Sequence, residues 1–220
     1  MEYRQAWDLQ EQLLKQSLAD KAAGNTTSHH LLMVEHPPVY TLGKSGKMEN
    51  VLIGREEMEQ RQIGFYQSNR GGDITYHGPG QLVGYPIFDL ECFYTDIGRY
   101  LRELEEVIIR TLADYGVIGS RSKGETGVWL DPDHPVKARK ICAMGVRCSR
   151  WVTMHGFALN VDPDLSYFDN IIPCGIANKS VTSLQRETGL DISMQQVKER
   201  VLKHFETVFD IAILNKDKSS

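Results

Sequence analysis

The sequence predicts a mixed α/β domain in which helices pack on a mainly antiparallel or mixed sheet. Two segments, Ala6 to Ala22 and Asp96 to Leu112, repeat apolar residues at helical spacing. Two apolar runs of strand length, Lys140 to Val146 and Trp151 to Val161, flank a short polar joint, as in a hairpin. Because helices and strands do not alternate strictly along the chain, the sheet is not expected to be built from βαβ units alone.

The first half of the chain begins with the helix at 6–22, for which Gly24 is a natural stop. Leu31 to Val34 is an apolar run ended by two prolines, which predicts a buried strand. Tyr40 to Lys47 contains two glycines and is expected to be a loop. Further elements are predicted as a short helix at 55–61 and strands at 64–67 and 81–90.

In the second half, Asp96 is placed to cap a helix that ends near Gly116. A strand at 127–130 and a turn at 131–135 are predicted before the hairpin. Ser193-Met-Gln-Gln196 fits a capping box, which predicts a closing helix through Val197, Val201, Phe205 and Val208.

Composition limits the class of protein. With 220 residues, 41% apolar and 25% charged, the chain is expected to form one domain over 1–220, with its core at about 31–210. A net charge of -4 argues against nucleic-acid binding. No apolar run has the ~20 residues that span a bilayer, and the N-terminus does not resemble a secretory signal, so no membrane association and a cytoplasmic location are expected.

A glycine-rich stretch, Arg70-Gly-Gly-Asp-Ile-Thr-Tyr-His-Gly-Pro-Gly80, is the densest local feature of the sequence. Its spacing is neither that of a dinucleotide-binding loop nor that of a Walker A loop. Glycine admits positive φ and close approach of a ligand to the backbone. Two hypotheses therefore remain open: a turn that needs only positive φ, or a binding segment that uses the neighbouring Arg, Thr, Tyr and His side chains.

Cys174 lies between Pro173 and Gly175, a setting that could present a thiol on a fixed loop. A lone cysteine is more often a small buried residue, and that is the expectation for Cys92, Cys142 and Cys148. A nucleophilic thiol needs a cation or base nearby, because its unperturbed pKa is near ~8.5. The candidates are His77, His155 and lysines, among them Lys140 at the start of a strand.

Five basic residues without an acidic one occur between 137 and 150, at positions 137, 139, 140, 147 and 150. In an acidic chain they predict a local basic patch. Two functions fit it equally: protection of an edge hairpin against aggregation, or docking of an acidic carrier or substrate protein.

Three motifs together resemble those of the lipoyl(octanoyl)transferases. In chain order they are Arg70 to His77 with Gly80-Gln81, Lys140 to Gly145 followed by His155 to Asn160, and Pro173 to Ile176 followed by Val181 to Leu184. Each fragment alone is weak, but their combination over roughly residues 31 to 184 is specific.

The resemblance implies an α+β catalytic domain of the biotin/lipoate protein ligase type, a mixed sheet with packed helices. It also implies an acyltransferase that moves an octanoyl group from octanoyl-acyl carrier protein to a lysine of a lipoyl domain, the first step of protein lipoylation. The implied acceptors are the lipoyl domains of 2-oxoacid dehydrogenases and the glycine cleavage H protein. No cofactor and no metal are expected.

By position, Cys174 corresponds to the cysteine that carries the acyl thioester and Lys140 to the lysine that activates it. The residues that correspond to the acyl-substrate site are Arg70, Gly71, Gly72, Asp73, Ile74, Thr75, Tyr76, His77, Ala143, Met144, Gly145, Gly156, Phe157 and Ala158. We expect glycines 71, 72 and 156 to make room for the acyl chain, with Ile74, Tyr76, Met144 and Phe157 as walls.

Three rival functions stay open. An ATP-dependent lipoate or biotin ligase of the same fold needs no nucleophilic cysteine. A Cys/His hydrolase would use His77 or His155 as its base. A carrier-docking module would bind acyl carrier protein without turnover.

Overall fold

The computed structural model describes residues 1–172 and 180–214. Within these ranges the chain forms five α-helices: α1 (Tyr3–Ala22), α2 (Arg55–Gln60), α3 (Ile97–Ala113), α4 (Leu184–Thr188) and α5 (Met194–Phe209). The strands in the same ranges are β1 (His30–Val34), β2 (Val39–Leu42), β3 (Gly64–Gln67), β4 (Ile74–His77), β5 (Gln81–Ile87), β6 (Ser120–Ser122), β7 (Glu125–Leu130), β8 (Arg139–Ser149), β9 (Val152–Asn160) and β10 (Ser180–Val181).

A large sheet forms the centre of the described part of the chain. Its strands follow the order β1-β5-β9-β8-β7-β6, each antiparallel to its neighbour, and β10 pairs with β8 in parallel. A smaller sheet has the order β3-β2-β4, with β2 parallel to β3 and antiparallel to β4. The predicted mixed sheet with packed helices is therefore confirmed.

Helices cover both faces of the large sheet. On one face, α3 and α5 bury apolar residues such as Leu104, Ile108 and Phe205 against it. On the other face, α1 packs Ala6 and Leu14 against β5 and β9. Among the described residues, no helix is long and apolar enough to cross a bilayer.

The hairpin of β8 and β9 agrees with the prediction and turns tightly. Arg150 and Trp151 connect the strands, and both have positive φ, 46° and 66°. Positive φ at two successive residues is the geometry of a type I′ turn, whose twist suits a two-residue hairpin loop. The Asp96 cap of α3 is also confirmed, because its carboxylate accepts a hydrogen bond from the Arg99 amide.

Several predictions of local structure are wrong. Residues 40–42 belong to β2, because Val39–Leu42 is buried and pairs on both sides, which outweighs the glycines that follow. The short elements β4, β6 and α4 were not predicted, and β5 ends at Ile87 rather than at residue 90. The closing helix α5 is present, but the Ser193 side chain makes no capping hydrogen bond, so the capping box does not form.

Candidate active site

A cavity of about 510 Å³ lies between the glycine-rich segment and the face of the large sheet that carries α1. The predicted site residues that line it are Arg70, Gly71, Gly72, Asp73, Ile74, Thr75, His77, Lys140, Ala143, Met144, Gly145, Gly156, Phe157 and Ala158. Segments distant in the sequence thus meet around one space. Cys174, the predicted thioester residue, lies outside the described residues.

Tyr76 is the predicted site residue of β4 that does not line this cavity. Its ring stacks on that of Tyr167, with 4.6 Å between ring centroids, and lines a separate groove beside Glu35. The reason is the twofold alternation of a strand, which sends Tyr76 and its neighbour His77 to opposite faces. Tyr76 therefore belongs to the core of the small sheet.

Glycines of the site also permit close contacts between backbone segments. The Gly71 amide donates to the Val146 carbonyl (2.9 Å), and a Cβ on Gly145 would lie 2.7 Å from the Gly71 oxygen. A Cβ on Gly156 would lie 2.2 Å from the Gly84 oxygen. At Gly145 and Gly156, neighbouring backbone therefore occupies the place that a Cβ atom would take. They allow segment 70–73 to contact β8, and β5 to approach β9.

Arg70 is buried and braces the glycine-rich segment. Its guanidinium donates to the carbonyls of Thr41 (2.5 Å), Gly71 (3.0 Å) and Asp73 (2.7 Å), and to the Thr41 hydroxyl. A guanidinium presents five donors in a fixed plane, so these contacts fix the loop against β2. The geometry gives Arg70 a structural role at the cavity wall.

A directed chain of hydrogen bonds continues from Thr41 through His77. The Gln81 amide nitrogen donates to Asn160 Oδ1 (2.9 Å), so its oxygen accepts from His77 Nδ1 (2.7 Å). His77 Nε2 is then the acceptor for the Thr41 hydroxyl, at 3.4 Å. Asn160 in turn donates to the Thr182 carbonyl (2.9 Å). The chain ties the small sheet to the large sheet and to the residues that follow β10.

His155 is held in a similar way by α1 and the glycine-rich segment. Its Nε2 donates to Asn69 Oδ1 (2.7 Å), and Asn69 donates to the Glu11 carboxylate (2.8 Å). Burial lowers the pKa of both His77 and His155 to about 3, and the Arg70 charge adds to the effect. Both rings are therefore neutral at pH 7, engaged in hydrogen bonds, and poor candidates for a general base.

Lys140 reaches the cavity through an irregularity in β8. Val128 pairs with Cys142, but the next residue, Trp129, pairs with Lys140, so Ile141 is an extra residue in β8. Such a bulge reverses the alternation of side chains beyond it. Lys140 therefore shares the face of Trp129, and its Nζ lies 4.6 Å from the centroid of that ring. In a regular strand Lys140 would share the face of Cys142, in the core.

The three cysteines in the described residues are free thiols. Cys142 is buried as predicted, and burial raises the pKa of its thiol far above the ordinary range although the Lys140 charge opposes this. Cys92 and Cys148 are exposed, which contradicts the prediction for both. Cys148 lies close to the end of β8 beside the hairpin turn, and Cys92 follows the end of β5, where side chains face solvent.

The predicted basic patch does not form. Arg139 binds Glu187 and Asp131, both at 2.6 Å, and Arg147 binds Glu11 at 2.8 Å. Because Lys140 lines the cavity, the exposed basic residues left from this set are Lys137 and Arg150. The acidic partners come from other elements, so the run of basic residues in the sequence does not produce a basic surface.

Sequence reasoning missed several residues that line the cavity. Tyr3 from α1 and Tyr85 from β5 form part of its wall, as do Gln81 and Asn160. The last two lie within the motifs of the family resemblance but were not among the predicted site residues, and a polar side chain inside a buried strand signals a partner for each. No such signal marks Tyr3, whose place depends on how α1 packs on the sheet.

Comparison with known proteins agrees with this arrangement. The family model of the lipoyl protein ligase A/B catalytic domain matches residues 2–206. The octanoyltransferase of Cytophaga hutchinsonii is 55% identical over 98% of this chain and 91% of its own length. That of Christiangramia forsetii is 58% identical over 94% of this chain and 92% of its own.

Solved structures show the same fold at low sequence identity. A bipartite lipoate protein ligase from Thermoplasma acidophilum superposes with a TM-score of 0.72 at 16% identity, over 95% of this chain and 82% of that one. Lipoate-protein ligase A bound with ATP gives 0.69 at 16% identity, over 92% and 82%. The chain belongs to the lipoyl protein ligase A/B catalytic domain family, among its octanoyltransferases, and is an acyltransferase of protein lipoylation.

Proposed function

We propose that residues 1–220, acting as one catalytic domain in the cytoplasm, transfer an octanoyl group from octanoyl-acyl carrier protein to a lipoyl-domain lysine. The acceptors are the lipoyl domains of 2-oxoacid dehydrogenases and the glycine cleavage H protein. The observation that supports this most is that two of the three motifs meet around one cavity with Lys140 in its lining. One solved neighbour, the Thermoplasma ligase, is described together with its E2 lipoyl domain.

The cavity suits an acyl chain. Its volume of about 510 Å³ lies within the ~300–1,000 Å³ common for small-molecule sites. Apolar side chains such as Val83, Met144 and Val146 line part of it. Burial of a hydrocarbon chain is worth ~0.8 kcal/mol per CH₂ group, so the length of the chain contributes strongly to binding.

The first half of the reaction forms a thioester on Cys174. Lys140 accepts the thiol proton, and the Cys174 sulfur attacks the octanoyl carbonyl. The C–S bond to the carrier breaks, and the departing carrier thiolate takes the proton from Lys140, which returns to its neutral form. One thioester replaces another, so this half is nearly balanced in energy.

The second half forms an amide. The acceptor lysine, as a neutral amine, attacks the acyl carbonyl, the bond to the Cys174 sulfur breaks, and the amine loses a proton to Lys140 or to the departing sulfur. An amide is more stable than a thioester, so this half drives the reaction. A lysine that both accepts and returns protons suits both halves.

The decisive experiment mixes the protein with octanoyl-acyl carrier protein and an apo lipoyl domain, without ATP, and follows all masses. We expect an octanoyl adduct on the protein and its passage to the lipoyl domain. Cys174→Ser should abolish both, whereas Cys148→Ser, which removes an exposed thiol, should leave both unchanged. An adduct on Cys142 or Cys148 would contradict the assignment of the nucleophile.

Lys140→Ala tests the proton-transfer role. Single-turnover acylation at neutral pH should slow by roughly 10²–10⁴-fold, the usual contribution of a general base. Near-normal acylation would refute the role. Transfer from free octanoate that requires ATP and survives loss of Cys174 would instead indicate a ligase, and release of free octanoate in the presence of acceptor would indicate a hydrolase.

A further inference from the structure

On the side that faces β7, Lys140 lies next to a glycine and an aromatic ring. A Cβ on Gly127 would lie 2.5 Å from the Cys142 carbonyl oxygen, which excludes a larger residue, and 3.5 Å from Lys140 Cε, which is an ordinary contact distance. Gly127 also has φ of +118°, which other residues rarely adopt. The Lys140 side chain runs past this glycine toward Trp129, two residues further along β7.

The Trp129 ring is buried and lies within reach of the Lys140 charge. It is 3% exposed, and its centroid is 4.6 Å from Lys140 Nζ. A cation within ~6 Å of an indole face is attracted by the quadrupole of the ring, most strongly when the pair is removed from water. Tryptophan gives the strongest such contact among the aromatic residues.

The strand that carries the ring is anchored by a buried carboxylate. Glu105 on α3 accepts a hydrogen bond from the Gly127 amide (3.0 Å) and forms ion pairs with Arg102 and Arg121, at 2.7 and 3.1 Å. This contact fixes β7 just before the bulge that turns Lys140 into the cavity. Through this contact, helix α3 fixes the position of the Trp129 ring.

We propose that Trp129 is a positioning residue, whose ring face binds the Lys140 ammonium and fixes the place of that amine in the cavity. The inference deepens the proposed function, on which it rests. Among the described residues, the ionisable groups close to this region include the buried Glu105 on α3, Glu125 on β7 and Cys142 on β8, while β10 presents the uncharged Val181. The ring stabilises the charged lysine without donating or accepting a proton.

Fluorinated tryptophan tests the contact with little change of shape. Each fluorine added to the indole makes the ring face less negative. A ring with more fluorines should therefore bind the Lys140 ammonium more weakly. In a Trp7→Phe, Trp151→Phe background, Trp129 is the one tryptophan of the 220-residue chain. Trace acetylation as a function of pH, read for each lysine by peptide mass spectrometry, measures how readily the Lys140 amine loses its proton.

We expect the proton affinity of Lys140 to fall in steps, by about fivefold for the most fluorinated ring. The exposed Lys15 on α1 is the internal control and should not respond. Trp129→Leu should reproduce the full effect, and Trp129→Phe should recover part of it. If Lys140 does not respond to fluorination in a folded protein, the proposal is overturned.

Octanoyl transfer by the same proteins distinguishes failure of the Trp129 proposal from failure of the proposed function. If Trp129 positions the amine for the reaction, the single-turnover acylation rate should fall along the fluorination series while the KM for the carrier stays constant. An unchanged rate would overturn the positioning role. Failure of the proposed function would show differently, as absence of octanoyl transfer by the unsubstituted protein.

Discussion

The two ends of the cavity hold their polar groups by different means. Where segment 70–73 contacts β8, the Arg70 guanidinium and the rings of His77 and His155 are bound by hydrogen bonds to backbone and side chains. Near Trp129, the Lys140 side chain is placed by a bulge and by an aromatic face. The two places are separated by about 20 Å along β8, at ~3.3 Å per residue from 140 to 146.

On the proposed function, this difference separates an end of the cavity that serves structure from an end that serves chemistry. At neutral pH the Arg70 guanidinium, which donates to three carbonyls, does not lose a proton, and histidines with a pKa of about 3 do not gain one. A lysine held by a ring face keeps its amine directed into the cavity. Variants at the Arg70 end should therefore reduce folding stability, and variants at the Lys140 end should reduce activity.

The largest expected effect is loss of stability in acid. Burial lowers the pKa of His36 to about 4 and of His77 and His155 to about 3. Since unfolded histidine titrates near 6.5, the unfolded state binds more protons below that pH, and stability falls as the pH drops from about 6.5 toward 4. Between pH 7 and 5 each ring should contribute a loss of about 2 kcal/mol, or about 6 kcal/mol together.

Urea unfolding at a series of pH values measures this dependence. His36→Gln should reduce the slope of unfolding free energy against pH by about a third, because it removes one of three equal contributions. His134→Asn, which changes an exposed histidine, is the matched control and should leave the slope unchanged. A slope that His36→Gln does not alter would contradict the lowered pKa of this ring and the neutral state assigned to the buried histidines.

Replacement of Arg70 comes next in size. Arg70→Met leaves the carbonyls of Thr41, Gly71 and Asp73 without this donor, and each unsatisfied buried group costs about 1 kcal/mol or more, so we expect a loss of about 3 kcal/mol. The control is Arg4→Met, which removes an exposed pair with Asp8 and should change stability by less than about 0.5 kcal/mol. Equal losses of unfolding free energy for Arg70→Met and Arg4→Met, measured in urea, would contradict the structural role of Arg70.

The smallest expected effect on stability is that of Lys140→Met. Methionine keeps most of the apolar stem beside Gly127 and removes the charge, so the free energy of unfolding should stay within about 1 kcal/mol of the wild-type value. Acylation by the same variant should nevertheless be severely slowed. A loss of stability as large as that of Arg70→Met would mean that Lys140 is a structural residue like Arg70.

Much of the fold followed from local pattern. Helices α1, α3 and α5 and the hairpin of β8 and β9 are long and periodic, and their burial against the sheet agrees with the apolar spacing that predicted them. The short strands β4 and β6 were missed because three or four residues carry too little periodicity to distinguish them from a loop. Pairing with a distant strand, rather than propensity, makes them strands.

The sequence by itself determined the set of candidate residues. The motif resemblance selected Lys140 and thirteen predicted substrate-site residues that line one cavity, together with Tyr76, which lines a separate groove. Residue type and order along the chain were sufficient to select these residues. Close contacts between backbones require glycine, and the side chains of a strand alternate between its two faces, so both features leave a pattern in the sequence.

Only the tertiary structure decided what each residue does there. In the folded chain, the Arg70 guanidinium donates to backbone carbonyls, and Arg139 and Arg147 form ion pairs with acidic residues from distant segments. One extra residue in β8 also turns Lys140 from the core into the cavity. The sequence alone shows none of these contacts. The physical reason is that charge, burial and side-chain direction depend on neighbours brought together by folding, and these neighbours lie tens of residues away in the chain.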